Sequence, residues 1–171
     1  MRLALHAALF LFAFIAWNAA ASPDEGTRNQ QQSSLDLVTL ANGKKYYFYA
    51  SLENKKTWYQ AKEFCEAHSM HLASPKTQEE LDLLYPAADS VRDDFWLLSA
   101  SDVGQAAGEF KWHDNSSLPR DSALWNEDDK EPNNFGKGHE VCAYFHTNRG
   151  PKLLDYNCDF PYRCFICQLP N

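Results

Sequence analysis

The chain has 171 residues, with 16 lysines and arginines against 23 acidic residues and a formal net charge of −7. That balance argues against a broad basic face for nucleic acid or for an anionic membrane. The length suits one domain with a short extension, and cysteines confined to the region beyond residue 64 suit an oxidising compartment better than a cytosolic metal site.

The first 21 residues read as a secretory leader: Arg2 supplies the positive end, Leu3 to Trp17 the apolar run, and Ala19-Ala20-Ala21 the small-residue cleavage pattern. The apolar run is shorter than a spanning helix needs, and no later stretch is apolar enough to span, so a secreted, soluble product is expected. Residues 22–43 read as a flexible tail. Gln30 to Ser34 lack the large apolar groups that would offset the entropy of ordering, although Leu35 to Leu40 could be locally extended. Asn42-Gly43 is a turn signal, and Tyr46 to Tyr49 reads as the first strand of a domain over residues 44–171.

Thr57 can cap a helix in which Trp58, Ala61, Phe64 and Cys65 fall on one face. Thr77-Gln78-Glu79-Glu80 starts a second helix that carries Leu81, Leu84 and Tyr85 and is expected to end before Pro86. Strands are expected at Phe95 to Leu98, Phe110 to Trp112, Val141 to Phe145 and Arg163 to Leu169. The stretch from Trp112 to Glu140 is rich in Asn, Asp, Pro and Gly, and a structureless connection of that length is usually functional. No internal repeat is present.

Trp58-Tyr59-Gln60-Ala61 leading to Cys65, Phe95-Trp96-Leu97, Glu109-Phe110-Lys111-Trp112, Trp125, Glu131-Pro132-Asn133-Asn134, Glu140-Val141-Cys142 and Phe165-Ile166-Cys167-Gln168 follow one another in this order. Together they make the chain from about residue 44 to 170 resemble a C-type lectin carbohydrate-recognition domain. The resemblance implies an α+β fold, with two short helices on small, mostly antiparallel sheets and a long loop region bearing the site. It also implies bridges Cys65–Cys167 and Cys142–Cys158. Cys164 is then left over, either as a free thiol or linking two chains into a dimer.

The resemblance places a calcium- and sugar-binding site at Glu131, Asn133, Glu140 and Asp155, with a cis bond before Pro132. Acids and amides around a rigid proline suit a hard cation that takes oxygen ligands. A Glu-Pro-Asn triplet implies sugars of the mannose, N-acetylglucosamine or fucose type rather than galactose. Leu153-Leu154-Asp155 departs from the family's usual Trp-Asn-Asp, so Leu154 removes an amide that would touch both ion and sugar. That departure keeps alive a second reading, a lectin-fold protein that acts through protein contacts without binding sugar. A second calcium site has little support: Asp102 fits one position, but Ala106, Asn134 and Val141 stand where acids are expected.

Other constellations are weaker. His139, Cys142 and His146 hold zinc-ligand atoms, but Cys142 is claimed by a bridge. His68 and His71 read as solvated surface residues. Cys164-Phe165-Ile166-Cys167 is a C-x-x-C pair, but behind a leader it does not point to redox chemistry. Asn115-Ser116-Ser117 is an acceptor sequon for N-glycosylation. No nucleophile-and-base motif is present, so an enzyme is not expected.

Overall fold

A computed structural model describes residues 35–134 and 141–170. The leader expected over 1–21 and the start of the tail lie outside the described residues. Chain order runs β1 (Val38–Thr39), β2 (Lys45–Ala50), α1 (Trp58–Ala67), β3 (His71–Leu72), α2 (Gln78–Val91), β4 (Phe95–Ser101), β5 (Phe110–Lys111), β6 (Ser117–Leu118), β7 (Val141–His146), β8 (Leu154–Asn157) and β9 (Cys164–Gln168). The architecture is α+β, and the strands pair antiparallel except β4 with β9, which run parallel through Trp96 and Cys164.

β4 is the hub. It pairs with β5, β7 and β9, and Trp96 to Ser101 are all buried. Successive strand side chains point to opposite faces, and here they feed two apolar clusters. Trp96, Leu98 and Ala100 join Phe145, Ile166 and the Leu81, Leu84 and Ala88 face of α2. Leu97 joins Phe165, Tyr144 and the Trp58, Ala61 and Cys65 face of α1.

α1 begins as its sequence dictates: the Thr57 hydroxyl accepts from Gln60 N while the Gln60 side chain accepts from Thr57 N, a reciprocal cap. α2 differs from expectation. Its Thr77 hydroxyl accepts from Glu80 N, but the helix runs through Pro86 to Val91 instead of stopping before it. Proline removes one helical hydrogen bond. Burial of Ala88 beyond it, and the Arg92 N–H donating to Ala88 O at 2.9 Å, hold the extra turn in place. Part of the segment read as tail also joins the sheet. The Asn42-Gly43 turn returns the chain so that Val38 pairs with Tyr46 and Thr39 with Lys45, with Gly43 at φ 76°, a conformation glycine takes without steric cost.

Cys65 is bonded to Cys167 and Cys142 to Cys158, across separations of 102 and 16 residues. In the chain-entropy picture these closures contribute about 5 and about 3 kcal/mol. The first ties α1 to β9, and the second ties β7 to the end of β8. Cys164 has no disulfide partner and is fully buried in the cluster beneath α2. Burial pushes its thiol up to about 12, so the reactive thiolate is scarce and an incoming disulfide has no approach. Of the two fates open to Cys164, burial fits the free thiol and not the inter-chain bridge. The native protein should run as a monomer on a non-reducing gel. A thiol-reactive dye should find no thiol in the native protein and one after denaturation; a Cys164-dependent dimer band would overturn this.

Candidate functional site

The long connection after β6 keeps its shape through anchors spread along it. The Trp125 indole N–H donates to Pro119 O at 2.9 Å, and Trp125 itself is buried against Phe110, with ring centroids 4.8 Å apart. Leu153 N donates to Leu124 O and Asn126 N to Leu153 O, which ties the loop to the strand leading into β8. Glu131 N then donates to Asn126 O at 2.9 Å, and the Arg120 guanidinium donates to Pro132 O at 3.0 Å. Arg120 lies over Gly108, whose φ of 81° favours glycine and where a Cβ would displace the guanidinium.

At the end of this frame the Glu131-Pro132 bond is cis. Glu131, Asn133 and Asp155 converge. The Asn133 amide donates to Glu131 Oε1 at 2.9 Å, Asn133 N donates to Asp155 Oδ1 at 2.7 Å, and Asn134 N donates to Asp155 Oδ2 at 3.0 Å. Asp155 N approaches Glu131 Oε2 at 3.4 Å. Asn133 is exposed, Glu131 half-buried, and Asp155 only 2% exposed. Burial, together with the neighbouring Asp155 carboxylate, pushes the Glu131 carboxyl up to about 8. Two acids crowded in this way repel each other when both are charged, and a divalent cation relieves that repulsion.

The oxygen-rich donor set therefore fits a hard cation. Asn134 Oδ1 adds a buried oxygen with no hydrogen-bond partner among the described residues. Glu140, the remaining ligand expected from the sequence, lies outside the described residues, as does His139. Among the described residues no three His, Cys, Asp or Glu side chains form a metal-binding group. Leu154 is 2% exposed and gives the site an apolar wall in place of an amide.

Several residues do something other than the sequence suggests. Asp102 accepts from Gly108 N at 2.9 Å and Val141 N at 2.7 Å, so its buried carboxylate closes a loop. His71 is half-buried, not solvated: Nδ1 lies 2.7 Å from Leu72 O, its ring stacks on His113 at 4.2 Å, and burial lowers its pKa. Cys142 is taken by its disulfide, and His146 packs edge-on against Phe95 with its Nδ1 accepting from Asn148 N at 3.1 Å, which does not support a zinc cluster. Asn115 is exposed in the turn between Trp112 and β6, at φ 65°.

A cavity of about 470 Å³ opens beside Glu131, Asn133 and Asp155, walled by Leu154, Tyr144, Tyr156 and Tyr162. Burial and the charge of Glu131 push the Tyr144 hydroxyl up to about 12. Sequence reasoning missed this aromatic wall, because only the β7–β8 pairing and the turn after β8 bring Tyr144, Tyr156 and Tyr162 together. Arg149 was missed too; it borders the cavity and pairs with Asp129 at 2.8 Å.

Residues 54–169 match the Lectin C-type domain family, and the chain belongs to the C-type lectins. The family is one of carbohydrate-binding, non-enzymatic proteins, and its domains generally bind calcium. The chain is 33% identical over 144 residues to C-type lectin domain family 4 member K of Mus musculus, covering 82% of this chain and 41% of that protein. It is 32% identical over 121 residues to lactose-binding lectin l-2 of Anguilla japonica, covering 69% and 70%. Among solved structures, the cow carbohydrate-recognition domain of CD23, determined in the presence of a GlcNAc2Man3 oligosaccharide, superposes with a TM-score of 0.61 at 29% identity, over 75% of this chain and 89% of that one. A C-type lectin from the tunicate Polyandrocarpa misakiensis shares the fold at 23% identity and a TM-score of 0.61, over 74% and 98%.

The role of Asp102 can be measured. Asp102→Ala leaves two buried N–H groups without an acceptor, at about 1–3 kcal/mol each. Urea unfolding should show a loss of about 2–6 kcal/mol, and a loss below about 0.5 kcal/mol would show that these N–H groups find other partners.

Proposed function

We propose that this chain is a secreted lectin domain that binds sugars of the mannose, N-acetylglucosamine or fucose type through one calcium ion. The observation that carries the reading is the meeting of Glu131, Asn133 and Asp155 at the mouth of a cavity. These three, with Glu140 from the sequence, are the residues that would hold the ion, and calcium when bound supplies a charge that draws two neighbouring sugar hydroxyls. Glu131 then accepts a hydrogen bond from one hydroxyl, and the Asn133 amide donates to its neighbour. This acceptor–donor order supports the mannose type over the lactose named for the eel relative. A leader over residues 1–21 supports secretion, and the exposed Asn115 turn suits N-glycosylation. No helix among the described residues is long and apolar enough to cross a membrane. Leu154 offers no amide, which costs the sugar about 1 kcal/mol of hydrogen bonding and makes simple monosaccharides weak ligands.

The protein should be retained on a mannose resin in millimolar calcium and released by chelator. Glu131→Gln combined with Asn133→Asp exchanges acceptor and donor and should move retention to a galactose resin. Leu154→Asn should strengthen mannose binding about fivefold, the equivalent of one hydrogen bond. Absence of calcium uptake by titration calorimetry, with no gain from Leu154→Asn, would favour instead a lectin-fold protein acting through protein contacts.

A further inference from the structure

The cavity beside the proposed sugar site is not a polar groove. Leu154 and a continuous run of rings line it. Phe95 lies 5.4 Å from Tyr144, Tyr144 lies 5.9 Å from Tyr162, Tyr162 lies 5.2 Å from Phe160, and Phe160 lies 5.5 Å from Tyr156, measured between centroids. Phe95 and Phe160 remain 38% and 47% exposed, so the rings are presented at the surface and not only packed in the core. Tyr162 is 4% exposed, and its hydroxyl is buried with no hydrogen-bond partner among the described residues, a state few native polar groups occupy. Glu131, Asn133 and Asp155 line the same cavity. The lining therefore joins groups that can meet hydroxyls to a larger apolar surface, within a volume typical of a small-molecule site.

We infer that this cavity takes the apolar aglycone of a glycoconjugate, an aryl or alkyl group carried on the sugar that Glu131 and Asn133 hold, with Leu154 and the Phe95–Tyr144–Tyr162–Phe160–Tyr156 rings as its seat. The inference rests on the sugar-binding reading above. A hydrophilic glycan tail would leave this wall in contact with water, whereas an apolar group buries it. A flat ring has the further advantage of edge-to-face contacts with the phenols. Leu154 thereby becomes a specificity residue: it subtracts a polar contact from the sugar and adds an apolar one to what the sugar carries.

Titration calorimetry of the full secreted chain in millimolar calcium, with methyl α-mannoside, phenyl α-mannoside, methyl β-galactoside and phenyl β-galactoside, tests this. Phenyl α-mannoside should bind about tenfold more tightly than methyl α-mannoside, since burial of part of one ring suffices for that gain. Phe160→Ala, at an exposed rim position where folding is not at stake, should cut the phenyl advantage to below about threefold and leave methyl α-mannoside unchanged. Leu154→Asn should strengthen both mannosides through the sugar and narrow the gap between them, because the leucine contact with the phenyl group is lost. Equal affinities for phenyl and methyl α-mannoside in the parent would overturn the aglycone seat and leave the mannose reading standing. Binding of both phenyl glycosides alike, with neither methyl glycoside bound, would support the apolar seat and overturn the mannose reading. A phenyl advantage that survives both Phe160→Ala and Leu154→Asn would place the contact elsewhere and sink the inference.

Discussion

Asp155 is a buried carboxylate whose two oxygens accept the N–H groups of Asn133 and Asn134, at 2.7 and 3.0 Å. Neither party tolerates separation: an unpaired buried charge is costly, and backbone donors that leave water need acceptors. The tip of a long, irregular connection is thereby fastened to a strand. That strand is itself fixed, because Asp155 stands opposite Ala143 in the β7–β8 ladder, and Cys142–Cys158 closes the same pair of strands. β7 leans in turn on β4, the strand around which both apolar clusters form. Positional accuracy passes from the core to the site through a short series of contacts, and the Asp155 bonds are the last of them.

The same strand explains why one cavity has two chemistries. Along Leu153, Leu154 and Asp155 the side chains alternate. Leu153 enters the cluster that holds Trp125 and Phe110, while Leu154 enters the one that holds Tyr144, Tyr162 and Phe165. Leu153 also exchanges backbone hydrogen bonds with the loop at Leu124 and Asn126. Leu154 thus stands between a frame that positions Glu131 and a ring cluster that lines the cavity. A polar residue there would extend the polar part of the lining. Leucine extends the apolar side instead.

Where the sequence was informative, the signal was local. The Thr57 and Gln60 cap needs only four residues to form, and the Trp58, Ala61 and Cys65 spacing marks a helix face whatever it packs against. Pro86 shows the limit of such rules. As a local signal it ends a helix, but the apolar face that continues to Ala88 belongs to the core and outweighs one missing hydrogen bond. β8 was unreadable because Leu154 and Asp155 are both buried on a strand with no polar alternation, and β3 and β6 are too short to show a period. The Glu131, Asn133 and Asp155 set came from resemblance. Arg120 and Asn126, which hold its backbone, could not be read, because Arg120 meets a carbonyl oxygen and Asn126 offers its own to an N–H, backbone groups that any residue supplies. The odd cysteine was countable, whereas its burial depended on the β4–β9 pairing.

Magnitudes decide what Leu154 does to binding. A lost hydrogen bond to the sugar costs about 1 kcal/mol. Apolar surface removed from water returns about 25 cal/mol per Å², so burying roughly 60 Å² of an aglycone gives about 1.5 kcal/mol and more than offsets the loss. For a bare monosaccharide the exchange is a net loss, because nothing enters the apolar half of the cavity. For a sugar bearing an aryl or alkyl group the apolar part of the cavity offsets that loss, and discrimination between the two ligands is the difference of these terms, not the size of either. A site that gives up an amide beside a wall of rings therefore does not have to be read as decayed. On this balance its selectivity has moved from the hydroxyls of the sugar toward the group the sugar carries.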